Sequence, residues 1–449
     1  MTGTVSTKHP DYLDRVDEWA LMRDCARGET AVKAAGERYL PMPSGFRVQE
    51  DGGAKMFEAY QTRAQFSEIL APTIRGMIGV IHRTEVQIDM PPAMQGLWER
   101  ATADGLPLEA LHRRITAELL LTGRYGLLAD AASEGSDLPW LAGYTTEALI
   151  NWSLSLSRDF FVLDESGLSR DGFSWKQHKA YRVLRLDDGR YSVERYDGEE
   201  QNGEPVQPTA RGGAALTAIP LVVMGPQDLS VSPQEPPLIG VARAALAMYR
   251  LDADYRHQLY MTGQETLVII NGDAPAAVGA GVVISLTASR EDHAPDAKYV
   301  GPCGTGIEAH RTAILDEREN AASAGARLFD SEKRSAESGD ALRIRYAAQT
   351  ATLTSVALTS AQGLEKALRH IAVMIGADPG KVVVKPNLSF VDAGMTPEQA
   401  EALVRIWQAG AISYQTLYEN LQRGELASAE RNFEEEAFIV NNNVGDDLQ

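Results

Sequence analysis

Four groups of residues in this 449-residue chain have types and spacings that could do chemistry. Ser153, Ser155 and Ser157 precede Asp159, which could supply a hydroxyl nucleophile, but no Gly-x-Ser-x-Gly elbow frames them and a serine hydrolase is not expected. Gly301-Pro-Cys-Gly304-Thr-Gly306 has the Gly-x-Gly spacing that lets a backbone approach a pyrophosphate. The strand–helix context of a dinucleotide site is not expected around it, so it reads as a turn. His178, His257, His293 and His310 lack ligand spacing, so neither a metal nor a cofactor is expected. Lys333 and Arg334 stand among Asp330, Glu332, Glu337 and Asp340, a mixture of net charge −2 that can touch phosphates without holding them. With no Gly-x-x-x-x-Gly-Lys-Ser/Thr loop either, the chain reads as a non-enzyme.

Composition bounds the partners. The chain carries 43 basic and 62 acidic residues, a net charge of −19, and no basic stripe that would replace the counterions of a nucleic acid. Sequence-specific DNA reading is excluded on that ground. A wall that surrounds DNA without gripping it remains compatible, since like charge keeps a duplex from adhering. No apolar run reaches 18 residues, so no membrane span is expected, and the N-terminus does not read as a secretory signal. Cys25 and Cys303 are too few for a disulfide framework, and the chain reads as cytosolic.

Periodicity divides the chain into an α+β, mainly helical architecture. Helices are expected over 11–36, over 55–80 with a kink or division at Pro72, and over 106–121. Between about 151 and 235 the period shortens, and strands are expected at 160–163, 181–186, 191–196 and 219–224, with Asp187-Asp-Gly189 as a hairpin turn. A long helix is expected over 238–263, then strands at 266–270, 282–285 and 298–300, then a helix over 310–328. A polar segment over 329–340 leads into a helix over 344–375, followed by short strands at 381–385 and 388–391. Trp19, Trp98, Trp152, Trp175 and Trp407 read as core or interface anchors rather than base-stacking platforms.

Near the C-terminus, Thr396 can cap a helix opened by Pro397 and completed by Gln399, and Gly410 closes it. Ser413 starts a second helix striped by Leu417 and Leu421 and ended by Gly424. The acidic stretch 430–449 reads as a solvated helix end or a loose tail.

This hairpin resembles a passage near the C-terminus of the portal proteins of tailed bacteriophages, in which a helix, "aGaiS", and a second helix ending in "GE" recur. The similarity extends through Trp19, Gly28-Glu29, Val32-Lys33, Ala35-Gly36, Tyr39-Leu-Pro41, Tyr60, Arg63, Phe66, Gly76, Gly79 and Arg83. It continues through Leu121-Thr-Gly-Arg-Tyr-Gly126, Tyr144, Asn151-Trp152, Pro237-Leu238, Asp254-Tyr255, Gln264, Tyr299-Val300, Gly304 and Gly306, and so spans about residues 15 to 425. One departure is Arg334-Ser-Ala-Glu337-Ser, where portals carry an "E-T-A" triplet.

The resemblance implies a head-to-tail connector: a homo-oligomeric ring, commonly of twelve copies, at one capsid vertex of a virion made in the host cytoplasm. Such a ring would meet the major capsid protein, the terminase large subunit, a head–tail adaptor and double-stranded DNA that passes without sequence specificity. Carried onto this chain, 1–237 would hold N-terminal helices and the wing, 238–263 and 310–328 the stem helices, and 264–309 the clip. Gln264, Thr266, Val268, Val282, Ile284 and Tyr299 are the candidate clip contacts. Phe329, Ser331, Lys333, Arg334, Ser335 and Ser338, within 329–340, are the candidate DNA-channel residues. Residues 341–429 would form wing and crown, and 430–449 a tail. Another structural phage or scaffold protein that binds only protein is the alternative, and an enzyme of unrecognised type the third.

Overall fold

The computed structural model describes residues 3–130, 138–155, 158–263, 266–275, 277, 285–287, 293–301, 305–325, 339–388, 390, 397–423, 426–427 and 431–446. These form two compact units, Met1–Pro386 and Asn387–Gln449, a boundary inside the 341–429 span that the sequence reading kept whole. The fold mixes helix and sheet, as expected.

The first helix is shorter than its periodicity suggests, and one glycine explains why. Helix α1 (Pro10–Arg27) opens with Pro10 behind His9, whose Nδ1 accepts the Asp11 amide at 3.1 Å. It stops at Gly28, where φ is +91°, and α2 (Glu29–Ala34) restarts with the Glu68 carboxylate accepting the Glu29 amide at 2.9 Å. That φ lies in the region where glycine alone is unstrained, which fixes the residue type at this junction. The next pair, α3 (Ala54–Arg63) and α4 (Leu70–Ile81), is also divided, but at residues 64–69 and not at Pro72. Pro72 sits in the first turn of α4, where its missing N–H has no intrahelical partner to lose.

Three sheets grow from the stretches with two-residue period. Strand β1 (Gln87–Asp89) precedes α5 (Leu108–Thr122), whose Leu108, Leu111, Ile115, Leu119 and Leu120 are fully buried, as their spacing predicts. Strands β2 (Tyr125–Asp130) and β3 (Trp140–Thr145) then pair antiparallel. Strands β4 (Leu149–Ser153), β5 (Arg158–Asp164), β6 (Gly167–Asp171), β7 (Ser174–His178), β8 (Ala180–Asp187), β9 (Arg190–Asp197) and β10 (Glu200–Gln201) follow. Five of them make a sheet in the order β10-β9-β8-β5-β4, while β6 and β7 pair only with each other. Asp188 (φ 45°) and Gly189 (φ 75°) form the expected turn between β8 and β9. Strand β11 (Leu221–Met224) returns to β2, giving the order β11-β2-β3. Of the five anchoring tryptophans, Trp19 and Trp152 are buried but Trp98 and Trp175 are exposed, the latter on the β6–β7 hairpin.

The chain then leaves this body as α6 (Ile239–Thr262), β12 (Thr266–Ile270), β13 (Asp296–Val300) and α7 (Thr305–Ser323). It re-enters as α8 (Gly339–Ile375), which packs on α5, β2 and β11, and ends the unit at β14 (Val383–Lys385), the partner of β1. Several boundaries differ from the sequence reading. Helix α7 begins at Thr305, not His310, and has ended before Leu328. Helix α8 takes in Gly339 and Asp340, which the reading had left in the polar segment. Strand β14 starts only at Val383, because Asp378 caps a short turn over 379–381 by accepting the Gly380 amide at 2.9 Å. No strand forms at Leu388, and Ser389 and Val391 lie outside the described residues.

Helices α4, α5 and α8 meet at two imidazoles, His112 buried and His82 half-buried. His82 Nε2 lies 2.9 Å from the Thr116 hydroxyl, His112 Nε2 lies 3.1 Å from the Ser360 hydroxyl, and the rings are 4.8 Å apart, edge to face. Burial, with Arg113 nearby, pushes His82 down to about 4; burial, with His82 beside it, pushes His112 down to about 3. Burial and Lys366 push His370 of α8 down to about 4. An unfolded chain with ordinary imidazoles therefore binds more protons than the native one between about pH 6.5 and these values. Stability is fully present above about pH 6.5 and falls with acidification, His112 alone costing about 2 kcal/mol by pH 5. Urea midpoints measured between pH 7.5 and 5 check this, and His112→Gln should flatten the slope.

The second unit holds α9 (Pro397–Gln408), α10 (Tyr414–Arg423) and α11 (Phe433–Asp446). Pro397 opens α9 as its chemistry requires, whereas Thr396 and the Gln399 side chain lie outside the described residues, as does Gly424. Ser413 caps α10, its hydroxyl accepting the Thr416 amide at 3.1 Å. The acidic end is a capped helix rather than a loose tail. Asn432 Oδ1 accepts the Glu435 amide at 2.8 Å, and Glu435 returns the bond to the Asn432 amide at 3.2 Å. Glu434, Glu435 and Glu436 fill its first turn, where the helix dipole favours negative charge. Phe433 packs beside Tyr414 and Tyr418, with ring centroids 5.8 and 6.4 Å apart.

Candidate functional site

Helices α6 and α7 build an antiparallel arm. Gly240 near the start of α6 faces Ala324 just after the end of α7, and Gly306 at the start of α7 faces Gln258 near the end of α6. At 1.5 Å per residue the 24 residues of α6 span about 36 Å. The inner half is core: Leu238, Val241, Ala242, Ala245, Leu246, Met248, Tyr249 and Ala253 are buried. Gly325, with φ +131°, ends the return by packing on Leu238, Val241 and Met77, a conformation that disfavours a side chain.

A polar and aromatic cluster clamps the arm where it leaves the body. Tyr60 donates to Asp254 at 2.6 Å, and burial together with that bond pushes its hydroxyl pKa well up. Asp252 accepts the Gln65 amide at 2.6 Å and pairs with Arg256 at 2.7 Å. Arg63 stacks over Tyr260 at 4.2 Å and reaches His257 Nδ1 at 3.4 Å. Burial first, and the Arg63 charge second, hold His257 below its ordinary pKa. His257 is thus a packing residue between Phe46 and Tyr60, whose rings lie 5.5 Å away, and not a ligand.

Beyond this clamp the arm is solvated yet apolar. Leu259, Tyr260 (58% exposed), Met261, Ile270, Tyr299 (55%), Val300 and Leu315 all face solvent. Strands β12 and β13 pair antiparallel, Leu267 opposite Tyr299 and Val268 opposite Lys298, and among the described residues each leaves its other edge unpaired.

Of the candidate clip residues, Val268 and Tyr299 therefore lie on facing strands and Thr266 begins β12. Gln264, Val282 and Ile284 lie outside the described residues, and Ser285, the last residue of the strand expected at 282–285, is not in a strand. The candidate channel residues Phe329, Ser331, Lys333, Arg334, Ser335 and Ser338 all lie outside the described residues. The sequence reading missed the clamp as a unit, because its members come from 46–65 and 252–260. It also passed over Met261 and Leu315, whose signal was apolar side chains beyond the reach of the body.

The remaining chemical candidates have ordinary settings. The Ser155 hydroxyl accepts the Arg158 amide at 3.0 Å and its own amide donates to Asp159 at 2.7 Å, which makes a turn. Gly301 follows β13 and Gly306 lies in the first turn of α7, so a strand and a helix do flank this segment, contrary to expectation, while Gly304 lies outside the described residues. That strand belongs to an exposed antiparallel pair, however, not to the parallel βαβ unit that a dinucleotide fold needs. Among the described residues no three His, Cys, Asp or Glu side chains lie together as metal ligands, and no helix is long and apolar enough to cross a membrane.

A family model described as a domain of unknown function, DUF4055, matches residues 237–374, the span of α6 to α8. No curated protein matches. Among solved structures, a chain from the virion of a native gene transfer agent particle is similar at 16% identity and a TM-score of 0.45, covering 88% of this chain and 98% of that one. A chain from the neck of an empty gene transfer agent particle, computed with C6 symmetry, is similar at 14% identity and a TM-score of 0.42, covering 90% and 99%. A third, from the neck of the native particle computed with C12 symmetry, is similar at 14% identity and a TM-score of 0.39, covering 80% and 90%.

Proposed function

We propose that this chain is the subunit of a portal ring at one capsid vertex of a phage-like particle. The ring lines a channel for double-stranded DNA during packaging and ejection and offers an attachment point to terminase and then to a head–tail adaptor. The observation that carries the reading is the arm, with its buried inner half and its solvated apolar outer half. Side chains such as Leu259, Met261 and Tyr299 gain burial only when another molecule covers them. Identical arms around an axis do this for one another, since each presents different faces to its two neighbours. The motif order shared with portal proteins supports the same reading, and so does a wall of net charge −19. In this reading residues 329–340 contribute the channel loop, and β12 and β13 the clip.

Native mass measurement of the purified chain tests it. A discrete species at a high integer multiple of 48.8 kDa, with twelve copies as the expected number, agrees with the proposal. A monomer at all salt and protein concentrations refutes it and favours a scaffold that binds other proteins.

A further inference from the structure

The β6–β7 hairpin is the part of the first unit least accounted for by its own fold. It interrupts β5 and β8, which pair directly, and extends from the five-stranded sheet as a separate two-stranded ribbon. Every residue of both strands is exposed. A lone two-stranded ribbon is marginal in water, so its composition should be polar unless something covers it. Instead Leu168 is 65% exposed, Trp175 62%, and Phe173, at the turn, 100%. The register sets Arg170 opposite Trp175 and Leu168 opposite Gln177, so by alternation these four share one face. The other face carries the Lys176–Asp171 ion pair at 2.6 Å.

We infer that this hairpin docks on a second copy of the same chain. Charge argues for that occupant. Arg170, Lys176 and Lys179 against Asp171 give the segment 167–179 a net charge of +2, within a chain of −19, so the remainder carries −21. A basic, aromatic tip and an acidic recipient are different surfaces, which makes the contact heterologous and repeatable around a ring. Phe, Trp and Arg are also the side chains that dominate protein–protein contacts. A nucleic acid is the weaker fit, because the cations form no stripe: by alternation Arg170 lies on the aromatic face and Lys176 on the other, beside Asp171. A hairpin this small is one part of a larger interface, so the inference deepens the ring proposal and rests on it only for the geometry of closure.

The experiment replaces Phe173 in the full chain with the photo-crosslinker benzoylphenylalanine and irradiates a mixture of isotopically light and heavy protein. Mixed-isotope crosslinks from position 173 to an acidic segment are expected. Phe173→Ser/Trp175→Ser should keep the thermal midpoint and raise the concentration for half-assembly about tenfold or more. Rings with no inter-copy crosslink and an unaffected variant overturn the hairpin contact while leaving the ring proposal standing. Inter-copy crosslinks without rings support the contact and count against the ring. Crosslinking to added duplex DNA in place of protein overturns the inference.

Discussion

Replacing Arg23 with alanine is expected to destabilise the first unit by about 3 kcal/mol, among the largest effects of any single surface-accessible charge. Arg23 lies in α1 and makes two bonds to Glu118 of α5, at 2.9 and 2.6 Å. It makes two more to Glu147, at 2.9 and 3.1 Å. Its side chain is 19% exposed and that of Glu118 is 15% exposed, so neither charge is well hydrated without the other. Burial alone would lower the Arg23 pKa, but its bonds to the two carboxylates outweigh that and raise it. For Glu147 the upward push of burial is likewise outweighed by Arg23, which holds its carboxyl below the ordinary range. Removing Arg23 leaves Glu118 largely buried without its cation, whereas Glu147, at 37% exposure, recovers part of its hydration. Urea unfolding of Arg23→Ala, Glu118→Ala and the double variant measures this. The account expects the double variant to lose at least about 1 kcal/mol less than the sum of the singles. Additive losses would show that the ion pair is incidental to how α1 seats on α5.

The second large effect concerns assembly rather than folding. Met261→Asp combined with Tyr299→Asp is expected to abolish the oligomer while leaving the isolated subunit as stable as before. Both side chains are more than half exposed in the single chain, 56% and 55%, so aspartate there costs the folded subunit little. In a covered interface each change forfeits about 1.5–3 kcal/mol of apolar burial and adds a charge without a partner. The loss recurs at every contact around a ring. Mass photometry would show monomers in place of the high-mass species, with the thermal midpoint of the dissociated wild-type subunit. An oligomer that survives both substitutions would move the interface away from the arm.

Much of this architecture was legible because the apolar residues of helices such as α5 and α6 recur with helical spacing, and because β8, β9 and β11 are short runs with clear turns. The misplaced boundaries have separate physical origins, each in single-residue chemistry that apolar spacing does not carry. Gly28 divides α1 from α2 because its backbone turns to φ +91°, a conformation that apolar spacing does not announce and that glycine adopts without strain. Helix α11 is ordered by the reciprocal Asn432–Glu435 cap, which its acidic composition obscured. The arm was readable as a helix, a small β element and a returning helix, since its periodicity is local, although Ser285, the last residue of the middle strand expected at 282–285, is not in a strand. Its functional character was not, because exposure is a tertiary property: Leu246 and Leu259 look alike in sequence, yet one is core and the other faces water.

Electron microscopy of the purified full-length protein tests the central claim most directly. The account predicts end-on views of a closed ring with a central channel wide enough for duplex DNA, and side views in which paired arms form a narrow stem. Particles without a central opening, or only monomers and dimers across salt and protein concentration, would contradict it.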